Sequence, residues 1–238
     1  PLTTDDQEDG FCNCVGVYPT ANSDVGERGK VEAYYYDDID GSYVENDLIN
    51  SPKFPLLPDR KELLQGAYGP LERYAKDKYG TLVQGYLTVP VSGNYEFDIT
   101  GDNQTFFFLS KNDSIKYKQT HQAVIFNGID EHDYDNSSFQ RIAPLYLEKG
   151  KYYYFEFRHK ENTWRDHFIL YWKTPYRTSE RWKPVPKFYL IDYTGEISCI
   201  PQGTPCDDGN AFTNNDQYNL LLINISDPTK LLSNRNPV

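Results

Sequence analysis

Hydrophobic and polar positions are most regularly patterned between Gly85 and Leu109, in the stretch GYLTVPVSGNYEFDITGDNQTFFFL. Tyr86, Thr88 and Val89 read as a strand that stops at Pro90, whose ring nitrogen cannot donate to a ladder, and Ser92-Gly93-Asn94 turns the chain. Tyr95, Phe97 and Ile99 then alternate with Glu96, Asp98 and Thr100, the period of two that predicts a strand with one buried face. Gly101-Asp102-Asn103 interrupts the alternation, and Phe106 to Leu109 follows as a continuous apolar run of the kind that lies between two packed layers. Asp102 and Asn103 are therefore predicted at a bend between two rigid strands. There, two oxygen-bearing side chains would meet a hard cation or a sugar hydroxyl with little further ordering. The plainer alternative is a turn whose Asp and Asn bond to their own backbone.

The same pattern extends in both directions. Gly29 to Tyr36 predicts a first strand, ending at a solvated Asp37-Asp38-Ile39-Asp40-Gly41 turn. Ile49 to Pro70 carries four prolines and predicts a loop with at most a short helix near Arg60 to Gln65. Ile115–Tyr117 and Ala123–Phe126 are candidate strands, and Gly128 to Ser138 is an acidic loop. Its Asp130, Glu131, Asp133 and Asp135 read as a solvated charge run, with cation binding the alternative. Ile142–Tyr146 and Tyr152–Arg158 predict a hairpin across Glu148-Lys149-Gly150-Lys151, and Phe168–Trp172 and Lys187–Asp192 the last strands. Trp164 falls in the loop before Phe168, where its ring would either stack on the apolar face of a pyranose or pack onto the edge of the fold.

Composition narrows the picture. With 21 Tyr, 13 Phe and 3 Trp against no Met, the chain favours strands, and its 238 residues suffice for one large all-β domain with short extensions. The net charge of -11 argues against nucleic acid and against an anionic membrane surface, and no apolar run approaches the roughly 20 residues of a membrane span. A start at Pro1 with no signal peptide is expected of a mature or excised segment. Cys12 and Cys14 precede the patterned region and Cys199 and Cys206 follow it. That placement predicts disulfides formed in an oxidising compartment; three pairings are possible, and bridges tying the arm to the tail are preferred because domain ends often lie close together. Zinc is the less favoured alternative, since no CxxC occurs and no His neighbours the cysteines. The chain thus divides into an arm (1–25), an all-β domain (26–192) and a tail (193–238). No G-x-S-x-G, HExxH or phosphate-cradling glycine loop is present, so an enzyme is not expected.

The central stretch also carries a resemblance. G-Y-x-x-V-P-x-S-G-x-Y-x-F at Gly85 to Phe97, with Gly101-Asp102-Asn103 at the following bend, resembles the core of the PA-fourteen domain. This β-sandwich is named after a fragment of anthrax protective antigen and occurs in yeast flocculins and other surface adhesins. Gly29–Tyr36, Leu145–Phe157 and Phe168–Trp172 are similar to further pieces of that family and fall in its order, together covering about residues 26–192. The resemblance implies an antiparallel β-sandwich with long loops, serving as a carbohydrate-binding adhesion module of a larger secreted or surface protein. In the calcium-dependent branch an acidic pair joined by a cis peptide holds one Ca²⁺, and a later loop adds an Asn and backbone oxygens. Mapped here, the metal ligands would be Asp102, Asn103 and Asn162, and the sugar-binding residues Asp102, Asn103, Glu161, Asn162 and Trp164. The chain departs from the pattern at Asn103, an amide in place of a carboxylate.

Gly203 to Asp216 resembles the C-D-D-G-N-x-x-T-x-x-D unit of repeated extracellular modules, with Asp207, Asp208, Asn210 and Asp216 as further candidate Ca²⁺ ligands or as ordinary Asx turns. Asn103, Asn112, Asn136 and Asn224 open Asn-x-Ser/Thr sequons, and a glycan on Asn103 would block the proposed site. The partner expected is a cell-surface or environmental glycan; the alternative is a protein-protein adhesion domain with no glycan binding.

Overall fold

The computed structural model describes residues 25–71, 76–176 and 182–194. Cys12, Cys14, Cys199, Cys206, the 207–216 segment and Asn224 lie outside them. Among the described residues the chain forms β1 (Val25–Arg28), β2 (Glu32–Tyr36), β3 (Arg60–Leu63), β4 (Tyr68–Gly69), β5 (Tyr79–Leu87), β6 (Gly93–Asp102) and β7 (Gln104–Leu109). It continues with β8 (His121–Ile125), β9 (Arg141–Leu147), β10 (Tyr153–Glu161), β11 (His167–Lys173), β12 (Lys183–Pro184) and β13 (Leu190–Tyr193). No helix among these residues is long and apolar enough to cross a membrane.

Two antiparallel sheets result, which is the all-β sandwich expected. The larger runs β1-β13-β5-β10-β7-β8, with β2 and then β3 flanking β5; the smaller runs β12-β11-β6-β9, with β4 against β11. β10 pairs on one side with β5, from Tyr153↔Leu87 to Glu161↔Tyr79, and on the other with β7, from Phe155↔Leu109 to Lys160↔Gln104. It is therefore the central strand of its sheet and is buried throughout.

The core lies between the sheets. Tyr95, Phe97 and Ile99 of β6 and Phe168, Leu170 and Trp172 of β11 face Phe107, Leu109, Phe155 and Phe157 across the gap. Phe107 and Phe157 stand 4.8 Å apart between ring centroids and Tyr95 and Trp172 5.6 Å. Each buried ring contributes roughly 1.5–3 kcal/mol through apolar area removed from water.

Several expectations are corrected. Asp98 and Thr100 lie opposite the single buried face that the alternation predicts, yet they are fully buried, because residues 134–140 fold over that side of β6. Burial raises the Asp98 carboxyl to about 7, with the Asp135 amide opposing. Within the stretch expected to be loop with at most a short helix, Arg60–Leu63 is a strand, β3, paired with β2 from Glu32↔Leu63 to Tyr35↔Arg60. Pairing with an existing edge outweighs the weak helical preference of Lys, Glu and Leu. Residues 115–120 form a 3-10 turn capped by Ser114, not a strand. The strand predicted over Gly29 to Tyr36 begins only at Glu32, as β2, since Gly29 turns the chain with φ +77° after β1, and Lys187–Tyr189 is a 3-10 turn leading into β13. Asp37 is buried in its turn and paired with Arg60 and Lys76, not solvated.

The predicted hairpin is the most consequential correction: β9 pairs with β6 and β10 with β5 and β7, so the Glu148–Lys151 turn crosses between sheets. The outer face of the larger sheet is covered as well. Tyr36, Val44, Leu48 and Phe54 pack on Leu82, Phe106 and Phe108. On this covered face Glu156 receives Lys118 Nζ at 3.1 Å and Arg158 Nε beside it, all three side chains almost fully buried. Arg158 and Lys118 overcome the cost of burial and hold the Glu156 carboxyl down at about 2.

Candidate functional site

The two sheets are joined at one end of the sandwich by the bend at Asn103, where β6 of the smaller sheet gives way to β7 of the larger. The bend is held by the strands that flank it. Asn103 donates its amide to the Lys160 carbonyl at 3.2 Å and accepts from the Gly128 amide at 3.1 Å. The Asp102 carbonyl accepts from His159 Nε2 at 2.6 Å, and the Ile129 amide reaches the Gly101 carbonyl at 2.8 Å. His159 is buried, and burial lowers it to about 3, so it acts as a neutral donor at physiological pH. The Asp102-Asn103 peptide is cis, the geometry that the family resemblance implies for its acidic pair.

The loop after β10 meets this bend. Asn103 Oδ1 accepts from the Asn162 backbone amide at 2.9 Å, and the Asn162 carbonyl accepts from the Lys78 backbone amide at 3.0 Å. The tip residue Trp164 is held by its backbone: its amide donates to Asp77 Oδ1 at 3.3 Å, and its φ is +91°. Trp164 is 82% exposed, so it does not pack onto the edge of the fold. The Gly128–Ser138 loop closes a third side. Arg165 bonds Asp130, and His167 Nε2 bonds the Ile129 carbonyl at 3.0 Å. The structure thus brings Asp102, Asn103, Asn162 and Trp164 to one loop cluster.

Asp102 carries the most informative electrostatics. Its carboxylate is partly buried and has no hydrogen-bond or ion-pair partner among the described residues. Burial, then Asp130, raise it, with Arg165 opposing and Asp166 adding, to about 6. Gly128 lies against it with φ +71°, and a Cβ built there would sit 2.3 Å from Asp102 Oδ1. Only a residue without a side chain leaves the carboxylate its present space.

Glu161 is a correction. Expected to contact sugar, it is 1% exposed and both carboxylate oxygens lack a hydrogen-bond partner. The reason is strand geometry: the alternation that turns Phe155 and Phe157 inward carries His159 and Glu161 to the same face. Burial, then Asp102 and Asp166, raise its carboxyl to about 8. Gly128 through its amide, and His159 and His167 through their ring nitrogens, position the bend by bonds to backbone carbonyls, which leave no periodic signal.

The donors suit a hard cation: one unpaired carboxylate beside amide oxygens, with no sulfur or free imidazole. No group of three or more His, Cys, Asp or Glu is gathered for a metal among the described residues. In the acidic loop Asp130 is taken by Arg165, Asp135 by Arg141, and Asp133 by Asn136, so these carboxylates do not converge.

The PA14 domain family model matches residues 60–184, more than half of the 238 residues. Among solved structures the chain is similar to the A domain of epithelial adhesin 9 from Candida glabrata in complex with Galb1-3GlcNAc. That match has 14% identity, covers 78% of this chain and 99% of that one, and has a TM-score of 0.46. It is similar also to the PA14 domain of the MpAFP antifreeze protein (12% identity, 76% and 97% covered, TM-score 0.49). A third is the PA14 sugar-binding domain from an RTX adhesin (10% identity, 68% and 98% covered, TM-score 0.47).

Proposed function

The chain belongs to the PA14 domain family, and from that premise we propose that it is a carbohydrate-binding adhesion module, a binder and not an enzyme, of a secreted or surface protein. Asp102, Asn103, Asn162 and Trp164 form its sugar site. The observation that carries this reading is the Asp102 carboxylate, partly buried and without a hydrogen-bond or ion-pair partner among the described residues, set beside an Asn103 amide clamped to the Asn162 backbone. A carboxylate in that state is stabilised by a cation or by a pair of hydroxyl donors, and the sugar's vicinal hydroxyls supply the second.

Calcium is the cation that fits the oxygen donors, with Asp102, Asn103 and Asn162 as the residues that would hold it; when bound it would accept two sugar hydroxyls. The chain's own contribution is to fix the two side chains at a rigid bend and to present the Trp164 face beside them for stacking on a pyranose. A shallow site of this kind binds weakly, near millimolar, or about 4 kcal/mol. Adhesion would then come from many copies acting together.

A glycan array probed with the protein in calcium and in EDTA tests the reading, with Asp102→Ala alongside. Glycan binding lost in Asp102→Ala supports the site, and its sensitivity to EDTA decides the calcium. Binding that persists in Asp102→Ala, or no glycan bound under either condition, overturns it, the second in favour of a protein partner.

A further inference from the structure

We propose that the groove at the end of the sandwich opposite the Asp102 bend is a second ligand site, one that takes a carboxylated pyranose of the uronic-acid class. The nine residue steps of β6 from Gly93 to Asp102 put about 30 Å between the two ends. The groove has a volume of about 440 Å³, within the roughly 300–1,000 Å³ of small-molecule sites. Its walls come from the end of β1, the turn between β5 and β6, the turn between β9 and β10, and the 187–189 turn.

Charge and shape together name the ligand. The chain carries a net charge of -11, yet no Asp or Glu lines this groove, whereas Arg28 and Lys149 do. Arg28 is held in place: Nη1 donates to Thr88 Oγ1 and to the Phe188 carbonyl, each at 3.0 Å, and its guanidinium lies 5.2 Å from the Phe188 ring centroid. Its Nε and Nη2 have no hydrogen-bond partner among the described residues. That free edge is a fixed fork, the geometry that receives a planar carboxylate through two parallel bonds. The Lys149 ammonium likewise has no ion pair among the described residues and adds a second positive charge. Around these cations stand Phe188, 63% exposed, Tyr152, 36% exposed, and Tyr189. Exposed rings beside a fixed cation suit a sugar ring with one apolar face and one carboxylate, and a bare inorganic anion would leave the rings unused.

The test is a titration of the ¹⁵N-labelled chain with methyl β-D-glucuronide and, in parallel, with the neutral methyl β-D-glucoside. Saturable shifts at the Gly150 and Phe188 amides with the glucuronide, absent at Gly101 and Gly128 and absent with the glucoside, are expected. Arg28→Gln is expected to weaken the glucuronide about 10-fold or more, and Arg28→Lys, which keeps the charge and loses the fork, to recover only part of that. Arg28 is exposed, so both variants are expected to melt with the wild type, and the melt verifies that they fold. Equal binding of the glucoside, an unchanged affinity in Arg28→Gln, or shifts elsewhere overturns the proposal. So does binding of the acidic peptide Asp-Asp-Gln-Glu-Asp-Gly at these amides with none of the glucuronide, which would make the groove a peptide site.

Discussion

Replacing Gly128 by Ala perturbs the Asp102 carboxylate through one added methyl, and Gly150→Ala supplies its control. Both glycines hold positive φ, +71° and +84°, so an alanine at either costs about 1–2 kcal/mol in backbone conformation. For a domain of this size that lowers Tm by about 2–8 °C in each. The surroundings differ. At Gly150 nothing lies within 4 Å of the new Cβ, whereas at Gly128 it meets Asp102 Oδ1 at 2.3 Å, about 1 Å inside ordinary contact. The carboxylate is the end of a short side chain and will rotate away, so the clash adds little to the loss of stability but removes Asp102 from its position. Displacement of a binding group by about 1 Å exceeds the roughly 0.5 Å tolerance of an organised site. Affinity for a glycan identified on the array is therefore expected to fall at least about 10-fold, or about 1.4 kcal/mol, in Gly128→Ala and to stay at the wild-type value in Gly150→Ala. Thermal melts and isothermal titration on the two variants measure both quantities. Normal glycan binding by a folded Gly128→Ala, or an equal loss in Gly150→Ala, would refute the role given to Asp102.

Three other outcomes follow from the same structure. Trp164→Ala removes the ring of a residue that is 82% exposed, so stability is expected to change by less than about 0.5 kcal/mol while glycan affinity drops about 10-fold; calorimetry and titration separate the two. Glu156→Gln leaves Lys118 and Arg158 buried without their anion and is expected to cost about 3–5 kcal/mol by urea unfolding. Because folding lowers the Glu156 carboxyl from 4.5 to about 2, its contribution is present above about 4.5 and lost as pH falls toward 2; the Gln variant is expected to lack that acid-side loss. Asp98 has the opposite sign: folding raises it from 3.8 to about 7, so its ionisation erodes stability as pH climbs through that interval, and Asp98→Asn is expected to flatten the decline in a series of melts.

What the sequence determined by itself is what short-range pattern encodes. Alternation at Tyr95, Phe97 and Ile99 and the run Phe106 to Leu109 follow from a period of two and from burial on both faces, and the two strands stand where that pattern put them. The bend at Asp102 and Asn103 was legible because Gly, Asp and Asn break a strand through their own chemistry. Pairing was not legible. β9 and β10 are joined by a turn that reads as a hairpin, and only the competition of whole sheets for edges sends them to opposite layers.

Burial of Glu161 was likewise decided in three dimensions, because a charged residue gives no local sign that the core's alternation runs on to the end of its strand. The support of the bend by Gly128, His159 and His167 comes from backbone partners remote in the chain. Arg28, Lys149 and Phe188 share no motif at all; they meet because the turns at one end of a closed sandwich must come together, and side-chain pattern along the chain does not record which turns share an end.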